Sequence, residues 1–371
     1  MILARITTQN FRNLAEADTP LHSGANILVG RNGQGKTNLL EAIYFLATTK
    51  SFRTNRIASV FRFGAASVFV SGALQREGIE RTLSVGVEGG RTSRPPTGGG
   101  RDVRPPHRVL MINGEKVTLP AYLNAMSVFA YSSARLDVIR GAPEERRRFL
   151  DRGIASVNPA YLEQLTRYTR VLRQRNALLA GIATHRESPS SLDAWDEELR
   201  EAAAIVHRAR AAYAADLSSA FAEIVRRHGY HVANVVMRYG PSELVQNRRD
   251  EIRARMTLAG PQRDAIDFFA GERAAAEVLS GGEQKMIVLF LKFAKLELFR
   301  RRHDDAPLFL LDDVDAELDL EILRDLLTKL PAKTQVFTTS AKEVFLEALQ
   351  AGPHRRLTIE GGRVTGVRDF A

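Results

Sequence analysis

Apolar positions along this chain fall into two rhythms. Short runs that alternate or are almost wholly apolar predict strands in the first third: ILARITTQ (2–9), ANILVG (25–30), ASVFVSGALQ (66–75), ERTLSVGVE (80–88) and VLMINGEKVTL (109–119). The residues Arg76-Glu77-Gly78-Ile79 mark one hairpin, and Asn113-Gly114 is a two-residue turn signal for another. Between strands, NLLEAIYFLATTK places Leu39, Leu40, Ile43, Tyr44 and Ala47 at helical spacing. From Pro143 to about His228 the rhythm is helical throughout. In YLEQLTRYTRVLRQRNALLAGI, the residues Leu162, Leu165, Tyr168, Leu172 and Leu179 share a face. A polar link, THRESPSS (184–191), leads to a second long helix that stops at Gly229, and the pair predicts an antiparallel helix hairpin. VANVVMRY (232–239) returns to strand. The last third alternates: KMIVLFLKFAKLELFRRR as helix, LFLLDD (308–313) as buried strand, LEILRDLLTKL as helix, KTQVFTTS as strand, EVFLEALQ as helix, and RLTIEGGRVTGV as a hairpin around Gly361-Gly362.

Strand–helix alternation at both ends, around an all-helical middle, predicts an α/β core interrupted by an insertion. Residues 1–135 and 232–371 are assigned to the core, and 136–231 to a helical lobe. The tract GGRTSRPPTGGGRDVRPP (89–106) has nothing to pack and reads as a mobile surface insertion.

Charge changes this picture more than composition does. The net charge is +10 and the isoelectric point about 10.0, which points to a polyanionic partner, nucleic acid ahead of a membrane surface. An even spread of arginine from a biased base composition is the alternative. The absence of cysteine excludes disulfides and cysteine-held metals and fits a reducing cytoplasm. Arg5 and Arg12 interrupt the N-terminal stretch, so no secretory signal is expected there. No apolar run approaches the roughly 20 residues that span a bilayer.

Three stretches carry chemistry. GRNGQGKT (30–37) fits G-x-x-x-x-G-K-[ST] between an apolar strand and a helix. Gly30, Arg31, Asn32, Gly33, Gln34 and Gly35 form the loop whose N–H groups wrap phosphate oxygens, Lys36 reaches the β- and γ-phosphates, Thr37 ligates Mg²⁺, and Asn38 follows in the helix. LFLLDD delivers two acids to a strand end: Asp312 to hold the metal through its water shell, and Asp313 to orient or deprotonate the attacking water. A chance glycine turn, and a satisfied pair of acids, are the plain alternatives. In LSGGEQK (279–285), Ser280 and Glu283 form a capping box, yet a cap does not call for both Gly281 and Gly282. These glycines leave N–H groups open at a helix start, a second surface able to read phosphate.

LSGGEQ, with GRNGQGKT before it and LFLLDDVDAELD after it, resembles the ABC-type ATPases. Within that class the chain resembles the RecF family, bacterial DNA replication and repair proteins. The resemblance rests on NFRNL (10–14), NGQGKTNLLEAIYFLATTKSFR (32–53), GAPEERRRFLD (141–151), AGPQRD (259–264), LLDDVDAELD and QVFTTS (335–340). It departs at Gln262, where the family has His, at YSSAR (131–135), and in the general ABC form of the signature. The resemblance implies an ABC-type ATPase head, with a parallel core sheet and an antiparallel β-subdomain, carrying an inserted helical lobe. It implies ATP and Mg²⁺ as cofactors, an ATP-dependent homodimer in which Ser280, Gly281, Gly282 and Glu283 of one copy cover the nucleotide of the other, and a dimer-contact loop at Ala316–Asp319. It further implies slow, DNA-stimulated ATP hydrolysis and binding to single-strand/double-strand junctions and gapped duplex. The setting it implies is cytoplasmic, nucleoid-associated repair in the response to DNA damage, with RecR and RecO as partners and RecA loading as outcome.

The segment 140–175 is rich in arginine, and Arg146, Arg147, Arg148, Arg167, Arg170 and Arg173 are the candidate DNA contacts. Aromatic residues are few there, so phosphate contact indifferent to sequence is expected. A solvated helix face is the alternative. Two other functions fit parts of the pattern: the ATPase subunit of a membrane transporter, which the helical insertion and Thr339 in place of a histidine disfavour, and a non-hydrolysing scaffold ordered by ATP.

Overall fold

The computed structural model describes residues 1–54, 56–89, 107–132, 136–229, 235–244, 247–303, 305–314, 320–328, 330, 333–340 and 353–370. The chain divides into two compact units, Met1–Arg135 with His303–Ala371, and Leu136–Arg302. The second unit thus takes in residues 232–302, beyond the helical lobe assigned from sequence. The expected insertion at 89–106, apart from Gly89, the helix EVFLEALQ and the loop Ala316–Asp319 lie outside the described residues.

The first unit opens with β1 (Ile2–Gln9), β2 (Ala17–Pro20), β3 (Ala25–Val29) and α1 (Lys36–Thr48), followed by β4 (Ser67–Arg76), β5 (Ile79–Glu88), β6 (His107–Ile112), β7 (Glu115–Lys116), α2 (Leu119–Ala125) and β8 (Val128–Ser132). All of these strands except β3 and β8 build an antiparallel sheet in the order β2-β1-β4-β5-β6-β7. Along β1 the inward positions slip from Leu3 to Ile6, and a bulge between Leu3 and Arg5 accounts for the slip. Both predicted turns form as two left-handed residues, Glu77-Gly78 and Asn113-Gly114, the pairing that matches strand twist.

The second unit runs through α3 (Asp137–Arg140), α4 (Pro143–Val157), α5 (Tyr161–Ile182), α6 (Leu192–Arg227), β9 (Val235–Gly240), α7 (Arg248–Ala254), β10 (Ala265–Ala270), β11 (Arg273–Ala274), α8 (Ala275–Val278) and α9 (Gly281–Arg302). The helices α5 and α6 pack antiparallel: Arg167 faces Glu198 and Glu201, Arg175 faces Asp196, and Leu179 and Ile182 pack on Leu192. The buried stripe of α5 is Tyr161, Tyr168, Val171, Arg175, Leu179 and Ile182, whereas Leu162, Leu165 and Leu172 are half-buried. Helix α4 and strand β9 pack on α6, and α7 packs on α5. Helix α9 packs along α6, and Ser218 donates to the Met237 carbonyl of β9 at 3.1 Å. Strand or helix content alone cannot reveal which body a segment joins, hence the different boundary.

The chain returns to the first unit with β12 (Leu308–Asp312), α10 (Leu320–Thr328), β13 (Val336–Ser340), β14 (His354–Glu360) and β15 (Arg363–Phe370). The core sheet has the order β15-β14-β3-β13-β12-β8, parallel except for the β14–β15 hairpin. Every residue of β12 is buried, as expected for a parallel strand covered on both faces. Four strands, β3, β13, β12 and β8, end at one edge, placing Gly30, Ser340, Asp313 and Ser132 there, where open α/β sheets bind ligands.

Candidate functional site

The phosphate loop leaves β3 at Gly30, whose φ is +147° and where a Cβ would stand 2.3 Å from the Ile359 carbonyl oxygen, so glycine alone fits. Lys36 opens α1 and donates to the carbonyls of Gly30 at 2.5 Å and Arg31 at 3.1 Å, so the loop curls around its ammonium. Arg31, Asn32 and Gly33 are exposed, and no atom lies within 4 Å of a Cβ built on Gly33. The loop is therefore supported from inside and open outside. Its support comes from the far end of the chain: Gly361 N–H donates to Gln34 Oε1 at 2.6 Å and Gly362 N–H to the Gln34 carbonyl at 2.8 Å.

Asp312 is buried and accepts from three hydroxyls: Thr37 at 2.8 Å, Thr339 at 3.1 Å and Ser132 at 3.5 Å. Burial pushes its carboxyl above the usual range, partly offset by the Thr37 and Thr339 bonds. Asp313 beside it is exposed and takes a left-handed φ of 55°, held by its N–H donating to Thr339 Oγ1 at 2.8 Å. Such a backbone in a residue other than glycine is uncommon and concentrates at working sites. Among the described residues no group of three His, Asp or Glu side chains could hold a metal ion. One carboxylate and one hydroxyl, both hard oxygen donors, nevertheless suit an ion that keeps most of its water and leans on phosphate.

Sequence reasoning missed Glu41. Its side chain is wholly buried in α1, bonded by Arg12 at 2.9 and 2.7 Å and by the Ser51 hydroxyl, with Arg53 at 3.6 Å. Arg53 in turn donates to Asn38 at 2.8 Å, and Asn38 to Asn13 at 2.6 Å. NFRNL, the phosphate-loop helix and Ser51-Phe52-Arg53 are thus one hydrogen-bonded cluster. The available signal was an acid inside the otherwise apolar run LLEAI.

In the second unit the capping box forms as expected: Ser280 N–H donates to Glu283 Oε2 at 2.7 Å, and Glu283 N–H to Ser280 Oγ at 3.3 Å. Gly281 and Gly282 are exposed, and nothing lies within 4 Å of a Cβ on Gly282. Packing does not call for the two glycines, which leave the start of a 22-residue helix uncovered within this unit. Gln284 fixes this helix start by donating to the Leu279 carbonyl at 2.8 Å and accepting from Arg140 at 2.6 Å.

The arginines of 140–175 do not all face outward. Arg175 sits in the buried stripe, bonded to Asp196 at 2.7 Å and Glu251 at 2.6 Å. Arg146 donates to the Gly141 carbonyl at 2.8 Å and to Asp267 at 3.3 Å, Arg147 to the Asp264 carbonyl at 2.9 Å, and Arg148 pairs with Glu144 and Glu145. Arg167 lies between Glu198 and Glu201, while Arg170 and Arg173 are exposed. The motif acids Asp151 and Asp264 meet on Arg210: Asp151 accepts at 2.9 Å on each oxygen and Asp264 at 2.8 Å. Burial alone would raise the Asp264 carboxyl. Bonds from His207, the Ser242 amide, Arg210 and Tyr239 outweigh it and hold the group below the usual carboxylate range.

Comparison with known proteins places this geometry. Residues 2–355 match the family described as RecF/RecN/SMC N terminal domain. The DNA replication and repair protein RecF of Anaeromyxobacter sp. is 35% identical over 387 residues, covering 98% of this chain and 99% of its own. RecF of Myxococcus xanthus is 32% identical, covering 98% and 97%, and RecF of Geotalea daltonii 31% identical, covering 98% and 100%. A solved structure of the recombination mediator protein RecF with ATP in the RecFOR pathway superposes with a TM-score of 0.84 at 24% identity, over all of this chain and 98% of that one. An Smc head bound to the C-terminal winged-helix domain of ScpA superposes with a TM-score of 0.55 at 18% identity, covering 100% and 98%. The shared fold is the SMC/RecF ABC-like ATPase head.

Proposed function

Because the chain belongs to the RecF family of DNA replication and repair proteins, we propose that it is an ATP-driven clamp on DNA, closing as a homodimer around two nucleotides. The observation that carries this reading is the uncovered helix start at Gly281-Gly282, in a chain that already owns a complete phosphate loop. A second phosphate-reading surface has work to do when it meets the nucleotide of another copy.

In each composite site, the loop amides from Arg31 to Gly35 and the α1 N-terminus hold the phosphates of ATP. Lys36 transfers its ammonium from the loop carbonyls to the β- and γ-phosphates. Thr37 and Asp312 are the residues that would hold Mg²⁺, which supplies charge neutralisation along the phosphate chain. Asp313, exposed and aimed by Thr339, orients or deprotonates the attacking water. Ser280 and the two glycine amides from the other copy read the γ-phosphate, and Glu283 holds the Ser280 end of that surface through its capping bond. Hydrolysis removes that link and opens the clamp. Arg170 and Arg173, both exposed on α5, supply phosphate contacts to gapped or junction DNA. RecR and RecO partnership and RecA loading in recombinational repair follow from the family.

The test is gel filtration without nucleotide, with ADP and with ATP, each with and without gapped duplex. ATP alone should produce the dimer, and DNA should stabilise it. A chain that stays monomeric with ATP and DNA together overturns the clamp.

A further inference from the structure

Between α1 and β4 the chain carries no acidic residue over 49–66, while it holds Lys50, Arg53, Arg56 and Arg62, of which Arg53 lies 3.6 Å from Glu41. Its outer turn is pinned. Phe61 bridges to Phe11, Arg12 N–H donates to the Val60 carbonyl at 2.8 Å, Arg62 N–H to the Asn10 carbonyl at 2.7 Å, and Ala65 N–H closes the turn onto the Arg62 carbonyl at 3.0 Å. At the tip stands Phe63, 101% exposed, where the next most exposed large apolar residue among the described ones reaches 52%. Arg62 and Gly64 flank it, both exposed, and nothing lies within 4 Å of a Cβ on Gly64. Arg56 and Arg62 make no ion pair among the described residues. One acid, Glu88, lies across the β4–β5 pair from Ser67.

We propose that Phe63, with Arg62 and Arg56 beside it in the chain, is a stacking platform for an unpaired base of DNA. The proposal rests on the DNA-binding reading above and adds to it a contact in the first unit of a kind the arginine-rich segment does not offer. A ring held in water on a pinned turn presents a flat face, and every base has a face to match it. Arginines on the same segment, without acids, favour a polyanion. A protein partner would need apolar surface around the ring to seal it from water, and its sequence neighbours are a guanidinium and a glycine. Paired bases inside a duplex have both faces covered, so the platform selects single strands, gaps and junctions.

The experiment measures binding of the full chain, with ATP, to an oligo-dT strand, an abasic strand of equal length, a gapped duplex and a blunt duplex. Phe63→Ala should weaken oligo-dT and gapped-duplex binding by about tenfold to a hundredfold, and leave the abasic strand, blunt duplex and ATP unchanged. Phe63→Trp should retain binding. With Trp195→Phe removing the single native tryptophan, its indole emission should fall on adding oligo-dT and hold steady with the abasic strand. Equal affinity of parent and Phe63→Ala for oligo-dT, or equal losses on every DNA, overturns the platform. Unchanged DNA binding with lost self-association assigns the ring to a protein contact and likewise overturns it. If the parent binds none of the four DNAs, the DNA-binding reading itself fails.

Discussion

The Thr339 hydroxyl accepts the main-chain N–H of Asp313 at 2.8 Å and donates to Asp312 at 3.1 Å, so one side chain sets both acids. It also keeps Asp313 in its left-handed backbone. Thr339→Val retains the shape and loses the bridge. Steady-state and single-turnover assays should show hydrolysis falling about tenfold or more, which corresponds to roughly 1.4 kcal/mol in the barrier, with ATP affinity little changed. Thr339→Ser should recover most of it.

Asp313→Asn should bind ATP like the parent and hydrolyse it about a hundredfold more slowly or worse, because the amide cannot take a proton from water. The ATP-bound dimer on DNA should last correspondingly longer, read as dissociation after dilution. Lys36→Ala, which removes the one ammonium the loop folds around, should abolish ATP binding in a filter or fluorescence assay.

Ser280→Arg should leave each chain folded and able to bind ATP, since losing the cap costs only about 1 kcal/mol. It should block ATP-dependent dimerisation. Mixed with Lys36→Ala, it should recover some dimer that neither variant forms alone, because one composite site of the mixture is intact. Recovery in the mixture, followed by light scattering, separates sites shared between chains from sites within one.

Arg170→Glu with Arg173→Glu tests the DNA surface without disturbing the unit, because both side chains are exposed, whereas reversing Arg146 or Arg147 would break bonds inside it. Each lost phosphate contact should flatten the slope of log affinity against log salt by about 0.7–0.9.

Asp264 ties acid stability to the second unit. Its native carboxyl titrates below the unfolded value of about 3.9. The stabilisation is therefore present above that value and is lost as pH falls through the native one. Asp264→Asn should cost about 3 kcal/mol or more at neutral pH by stripping a buried partner from Arg210, and should flatten the acid side of the profile. Trp195, in α6 of the same unit, reports the transition in denaturant titrations.

Much of the site was legible because it is local. A phosphate loop, a strand ending in acids, a capping box and two-residue turns are each written within a few consecutive residues. Sheet order was not legible, because β3 pairs with strands more than 300 residues away. Buried charge was not legible either. Arg175, Arg210, Glu41 and Asp264 look in sequence like surface residues, and only folding brings each to its partner. Spacing held a hint for Arg175, which completes the stripe from Tyr168 and Val171 to Leu179.

The pairing of β3 with β13 and β14, and of Gln34 with Gly361 and Gly362, has a consequence for synthesis. A ribosome releases residues 25–37 early, yet their neighbours 336–362 arrive near the end. Until then β3 has neither of its sheet partners, and the loop lacks the turn that buttresses it. Residues 136–302 form one contiguous stretch and can complete their own core while translation continues. The nucleotide pocket is accordingly the last part of the molecule to mature, and a prematurely terminated chain would carry a finished second unit beside an unfinished sheet with both edges of β3 open to aggregation.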